Sequence, residues 1–103
     1  MLVISVFYPA SENATFDFGY YTDSHIPLVQ QRWGGMGLQE FRVLKGGAGP
    51  DGAGPTYLLV ALLTFQSAEA FGAAAAQHAA EIFADIPNFT NLSPVLQFNE
   101  RLA

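Results

Sequence analysis

The run Tyr57-Leu58-Leu59-Val60-Ala61-Leu62-Leu63-Thr64-Phe65 is apolar on both sides of a strand. With a side-chain period of two, Tyr57, Leu59, Ala61, Leu63 and Phe65 share one face, and Leu58, Val60 and Leu62 share the other. A strand whose two faces both call for burial needs a layer on each. Helices of the same chain can supply one layer. The elements that flank this run are too few to supply the second, so a second copy of the chain is expected to cover it.

Working outward, Gly46 to Pro55 holds five glycines and two prolines in ten residues, a long hairpin-type connection to a strand over Leu38 to Lys45. No Lys-Ser/Thr pair and no helix follow it, so it does not read as a phosphate cradle. Leu2 to Tyr8, rich in β-branched and aromatic residues and stopped by Pro9, is the first strand. Phe18, Tyr21, His25 and Leu28 then recur at helical spacing, with Thr15 or Asp17 as the cap. Pro27 lacks an N–H and crowds the preceding turn, which predicts a kink or restart near Ser24 to Ile26 and an end at Gly34-Gly35. Downstream, Ser67 caps a second helix with Glu69 in its first turn. The apolar stripe of that helix is Phe71, Ala74, Ala75, His78, Ala79, Ile82 and Phe83. Asp85-Ile86-Pro87-Asn88-Phe89 ends the helix, and Pro94 to Arg101 supplies the last strand.

The order strand, helix, strand, strand, helix, strand predicts a ferredoxin-like α+β fold, with a four-stranded antiparallel sheet and both helices on one face. Residues 1–103 are expected to form one domain, and two copies joined through their bare sheet faces would close a barrel-like homodimer.

Composition narrows the function. Apolar residues make up 50% of the 103 and charged residues 13%, too few charges to cover a small monomer, which again points to a covered apolar face. Nine acids against four bases, a net charge of −5, argue against a nucleic-acid partner, which needs clustered Lys and Arg. Without cysteine there is no disulfide, thiolate nucleophile or thiolate metal site. The first apolar run is too short for export or membrane spanning, so a cytoplasmic protein with no membrane partner is expected.

The chemistry is concentrated between Phe16 and Gly35. His25 titrates near neutral pH and is the candidate proton-transfer residue. Tyr21, one helical turn earlier on the same face, is expected to orient its ring or share its proton, and the Asp23 carbonyl freed by Pro27 to accept a hydrogen bond. Tyr20 points about 100° away, towards a rim or interface. Phe16, Tyr20, Trp33, His78 and Phe65 complete the candidate ligand wall. Asp17 reads as a cap, Asp85 as a helix closer or acceptor of backbone N–H groups, and Asn88 and Asn91 as turn residues. His25 and His78 lie on different helices without zinc-type spacing, so neither a metal nor a cofactor is expected.

Phe16-Asp17, Tyr20-Tyr21, His25 and Pro27-Leu28, taken with Asp85-Ile86-Pro87-Asn88-Phe89-Thr90-Asn91, resemble the EthD family, named for a protein linked to bacterial degradation of ethyl tert-butyl ether. The resemblance runs over essentially the whole chain. It implies the dimeric α+β barrel superfamily, whose similar barrels serve as muconolactone isomerases, polyketide cyclases, cofactorless monooxygenases and haem-handling enzymes. It also implies the company of oxidative catabolic or biosynthetic enzymes, sometimes as an accessory factor beside an oxygenase. Two readings follow. In the first, a homodimer holds a small apolar, aromatic or polyketide-like molecule in each barrel, and His25 with Tyr21 performs isomerisation, cyclisation or cofactorless oxidation. In the second, a non-catalytic carrier supports an oxygenase.

Overall fold

The structure is a computed structural model that describes all residues from Met1 to Ala103. Strands β1 (Leu2–Pro9), β2 (Leu38–Lys45), β3 (Tyr57–Phe65) and β4 (Val95–Glu100) form one antiparallel sheet in the order β2-β3-β1-β4. This is the ferredoxin-like arrangement. Between β1 and β2 the chain is helical from Phe18 to Trp33, in three pieces: α1 (Phe18–Tyr20), a π-helical turn (Tyr21–His25) and α2 (Ile26–Trp33). Between β3 and β4 runs α3 (Ala68–Ala84), followed by one 3₁₀ turn over Ile86–Asn88.

The alternation of β3 sorts the core. Leu59, Ala61, Leu63 and Phe65 are buried beneath the helices, whereas Leu58, Val60 and Leu62 on the opposite face are only half-buried. Strand β1 repeats the pattern in register. Ile4 faces Leu63, Val6 faces Ala61 and Tyr8 faces Leu59 on the helix side, while Phe7 pairs with Val60 on the open side. One residue departs from the expected alternation. The pairing slips after Tyr8, so that Pro9 meets Tyr57 with Leu58 left over. A bulge of this kind turns the following side chain to the other face. Tyr57 accordingly lies against Phe7, ring centroids 4.9 Å apart, and not with Leu59.

Helix starts and stops follow the sequence signals. The Asp17 side chain accepts from the Tyr20 N–H at 3.0 Å, so Asp17 and not Thr15 is the cap. Ser67 caps α3 through the Ala70 N–H. The break that Pro27 imposes is absorbed one turn earlier, where the Ile26 N–H reaches the Tyr21 carbonyl five residues back. Such wide turns are uncommon and recur at functional sites. On α3, Ala74 and Ile82 are buried, while Phe83 at the edge of the stripe is 42% exposed. No helix is long and apolar enough to cross a membrane.

Candidate functional site

Two distant segments meet beside the end of α3. The Asp17 N–H donates to the Phe89 carbonyl at 2.7 Å, and the Thr90 hydroxyl donates to the Thr15 carbonyl at 2.6 Å. The Asn91 side chain receives the Thr15 N–H and donates to the Asn13 carbonyl, each at 2.9 Å. These bonds tie the entry of the first helix to the turn after α3. Asp85 at the C-terminus of α3 is thereby set opposite the π-helical turn that carries His25.

The result is a compact polar network. His25 Nδ1 lies 2.9 Å from Asp85 Oδ2, and the Tyr20 hydroxyl donates to Asp85 Oδ1 at 2.6 Å. The Asn88 amide donates to the same Oδ1 at 3.0 Å. Only donors surround the carboxylate, so His25 presents a protonated Nδ1 to it. The lone pair then sits on Nε2, which has no protein partner. This is the arrangement in which a carboxylate fixes the tautomer and orientation of a histidine base. Burial holds the His25 imidazole below its ordinary 6.5, and the hydrogen bond and charge of Asp85 offset part of that drop. For Asp85, burial would raise the carboxyl, but the hydrogen bonds from Tyr20, His25 and Asn88 outweigh it and hold the group below its usual 3.8. At neutral pH the pair is therefore imidazole and carboxylate.

The signs give a stability profile. Both folded pKa values are depressed, so the native state binds fewer protons than the unfolded chain in acid. The His25 contribution is complete above about 6.5 and is lost as pH falls from there through the folded value. The Asp85 contribution is lost in the same direction at lower pH. Urea midpoints measured from pH 7.5 to pH 5 are expected to fall, and His25→Gln is expected to flatten that decline.

His25 borders a cavity of about 40 Å³ between the sheet and the helices, whose other walls include Ile4, Val29, Trp33, Ala61 and Ile82. It lies within one chain, on the helix side of the sheet. The cavity lies on the opposite side of the sheet from the bare face expected to meet a second copy. Phe83 and Leu96, 42% and 38% exposed, stand at its mouth between α3 and β4.

Of the residues proposed from sequence, His25, Tyr21 and Trp33 border this cavity. Tyr21 packs its ring 5.1 Å from that of His25 but makes no hydrogen bond to it; Asp85, and neither Tyr21 nor the Asp23 carbonyl, orients the imidazole. The phenol that joins the network is Tyr20, because the side chain pointing away from the cavity is the one that reaches Asp85. Phe16 packs among Tyr8, Tyr21 and Phe89 at 5.3 to 5.7 Å, outside the cavity wall. Phe65 is fully buried against Trp33 and Phe71. His78 lies away from the cavity, close enough to Glu81 to lower that carboxyl, as the Arg32 bond to Glu81 does more strongly. No cluster of three metal-ligating side chains is present.

Sheet order and helix placement define a small ferredoxin-like α+β protein, with a histidine–aspartate pair beside an apolar cavity. The chain belongs to the EthD family, matching the EthD domain over residues 11–93. It is 41% identical to an EthD-like protein from Ralstonia eutropha, with a TM-score of 0.91 over 99% of this chain and 92% of that one. An ethyl tert-butyl ether degradation (EthD) family protein from Bacillus halodurans is 19% identical, with a TM-score of 0.78 over 99% of both chains. The fold is shared with SnoaB, a cofactor-independent oxygenase from Streptomyces nogalater, at 12% identity and a TM-score of 0.67 over 99% of this chain and 92% of that one. No curated protein sequence matches.

Proposed function

We propose that this EthD-family protein binds a small apolar molecule at the His25 cavity and moves a proton to or from it through Nε2. The observation that carries this reading is the His25–Asp85 pair. A neutral imidazole, oriented by a carboxylate in a residue that lines an apolar cavity, is a general base held ready at neutral pH. Isomerisation, cyclisation and cofactorless oxidation each begin with such a step, and the fold shared with a cofactor-independent oxygenase is compatible with the last.

The cavity size limits how a substrate is held. A water needs roughly 10–15 Å³ by this measure, so about 40 Å³ admits only a few heavy atoms. The reacting end of the substrate would enter, and any apolar remainder would lie across exposed Phe83 and Leu96. In the same proposal the bare sheet face, with half-buried Val60 and Leu62 and exposed Leu44 and Val95, joins a second copy to give the homodimer, and the protein works in the cytoplasm.

Nitroethane, a five-heavy-atom carbon acid, is the probe. Wild-type protein in D₂O is expected to exchange its acidic hydrogens for deuterium, followed by proton NMR, and to shift the His25 ring signals. His25→Ala should slow exchange by about 10²-fold or more, the usual contribution of a positioned acid–base group. No exchange and no movement of the ring signals would favour the second reading, a non-catalytic protein that supports an oxygenase.

A further inference from the structure

Two buried phenols border the same cavity, Tyr21 and a residue outside the Phe16–Gly35 segment, Tyr8. Tyr8 lies near the end of β1, on the face that also presents Ile4 and Val6 to the helices. It and Tyr21 are each 2% exposed, and both border the cavity beside His25. Neither hydroxyl has a hydrogen-bond partner in the protein, yet neither is sealed from open space. The cavity is the open space that both side chains line. Each hydroxyl is therefore free to donate to an acceptor that enters that space. The rings adjoin: Tyr8 and Tyr21 have centroids 6.4 Å apart and nearly perpendicular planes, and Tyr21 sits 5.1 Å from His25.

We propose that the Tyr8 and Tyr21 hydroxyls form an oxyanion site facing His25, which fits the cavity to the enolisable end of a small carbonyl compound. The proposal rests on the proton-transfer reading of His25 and adds the group that receives the charge. In the step, the C–H bond next to the carbonyl breaks and its proton goes to Nε2. The electron pair left behind forms the C=C bond of the enolate, while the carbonyl π pair moves onto oxygen, where two O–H donors meet it. Burial pushes both phenols well above their ordinary range, with the neighbouring Tyr8 adding to the rise at Tyr21. They stay protonated at neutral pH and serve as donors, never as competing bases. Donors aimed at developing charge in a dry site act strongly because they need not reorganise during the reaction.

Nitroethane again serves as the probe, since its nitro oxygens collect charge as an enolate oxygen does. Tyr8→Phe and Tyr21→Phe each keep the ring and remove only the donor. Each should slow deuterium exchange by about 10²-fold, with the NMR titration of the His25 ring still responding to pH. Each should also weaken competition by the preformed nitronate anion more than binding of neutral nitroethane, a difference that a change in packing would not produce. Exchange by wild type together with unchanged exchange and nitronate binding in both variants would overturn the oxyanion site and leave His25 as the base. Absence of exchange in wild type would remove the His25 reading itself, and the oxyanion site with it.

Discussion

Asp85→Asn is expected to lower His25-dependent exchange by at least 10²-fold while leaving the fold intact. The carboxylate accepts from three donors, His25 Nδ1, the Tyr20 hydroxyl and the Asn88 amide. An asparagine offers one acceptor oxygen and one NH₂ in the same space. If the NH₂ faces His25, it donates to Nδ1 and drives the imidazole proton to Nε2, so that a donor and not a base faces the cavity. A tautomer reversal of this kind at a histidine–aspartate pair is worth about 10⁴ in rate. If the oxygen faces His25, the tautomer survives but the charge is gone. Burial of the imidazole is then opposed less, its pKa falls further, and the base weakens. Both orientations slow the reaction. Nitrogen-15 NMR of the ring distinguishes them, because the tautomers place the protonated nitrogen differently. The part of the stability loss at lower pH that Asp85 contributes should also disappear, since the residue no longer titrates. Wild-type exchange rates in Asp85→Asn would show that the pair is a structural tie between α3 and the first helix and nothing more.

That pair also shows how far a sequence can be read and where reading stops. Its two residues are 60 positions apart. Asp85 carries an unambiguous local signal, a carboxylate closing a helix before Ile86-Pro87, and local signals name local jobs. Nothing in the run around it says that the turn is stitched to Thr15 and Asp17 by Asn91, Thr90 and Phe89. The family resemblance did pair the segment beginning at Phe16 with the one beginning at Asp85, and the geometry supplies the physical content of that pairing. His25 was legible as a candidate because an imidazole stands out on an otherwise apolar helical face. Tyr8 was not, because at the end of a strand a tyrosine reads as one more apolar residue. The available clue was its parity with Ile4 and Val6, which places its hydroxyl on the helix side.

The fold was more legible than the site for a related reason. Strand β3 and α3 are long, and their periods of two and 3.6 average over many residues, so one irregular position does not spoil the reading. Tyr57 was misassigned where a single bulge interrupts the count. Pro27 predicted a break, but not that the chain would absorb it as a π-helical turn before the proline. That choice belongs to tertiary packing, which holds Tyr21 and His25 inward together.

Phe65→Ala should be the most destabilising single truncation among the aromatic residues of the core. Phe65 is 0% exposed. Its ring meets Trp33 edge-on at 5.6 Å and Phe71 at 5.1 Å, and its backbone lies between Leu2 and Leu38 at the middle of the sheet. One side chain therefore supports the last turn of α2, the first turns of α3 and three strands. Removing a buried phenylalanine costs about 3–5 kcal/mol through lost burial and the void left behind, against a total of roughly 5–15 kcal/mol for a domain of this kind. The void cannot close readily, because Trp33 is anchored by its Nε1–H bond to the Ala74 carbonyl at 2.9 Å. The melting midpoint should fall by more than ten degrees, at about 4–8 °C per kcal/mol, while Phe65→Leu, which keeps most of the volume, should lose far less. Exchange activity measured well below the midpoint should persist in Phe65→Ala, since the ring does not border the His25 cavity. A loss below about 1 kcal/mol in urea titration would mean that the α2–α3 layer is held from elsewhere. A collapse of exchange with the fold still intact would place Phe65 in the ligand wall after all.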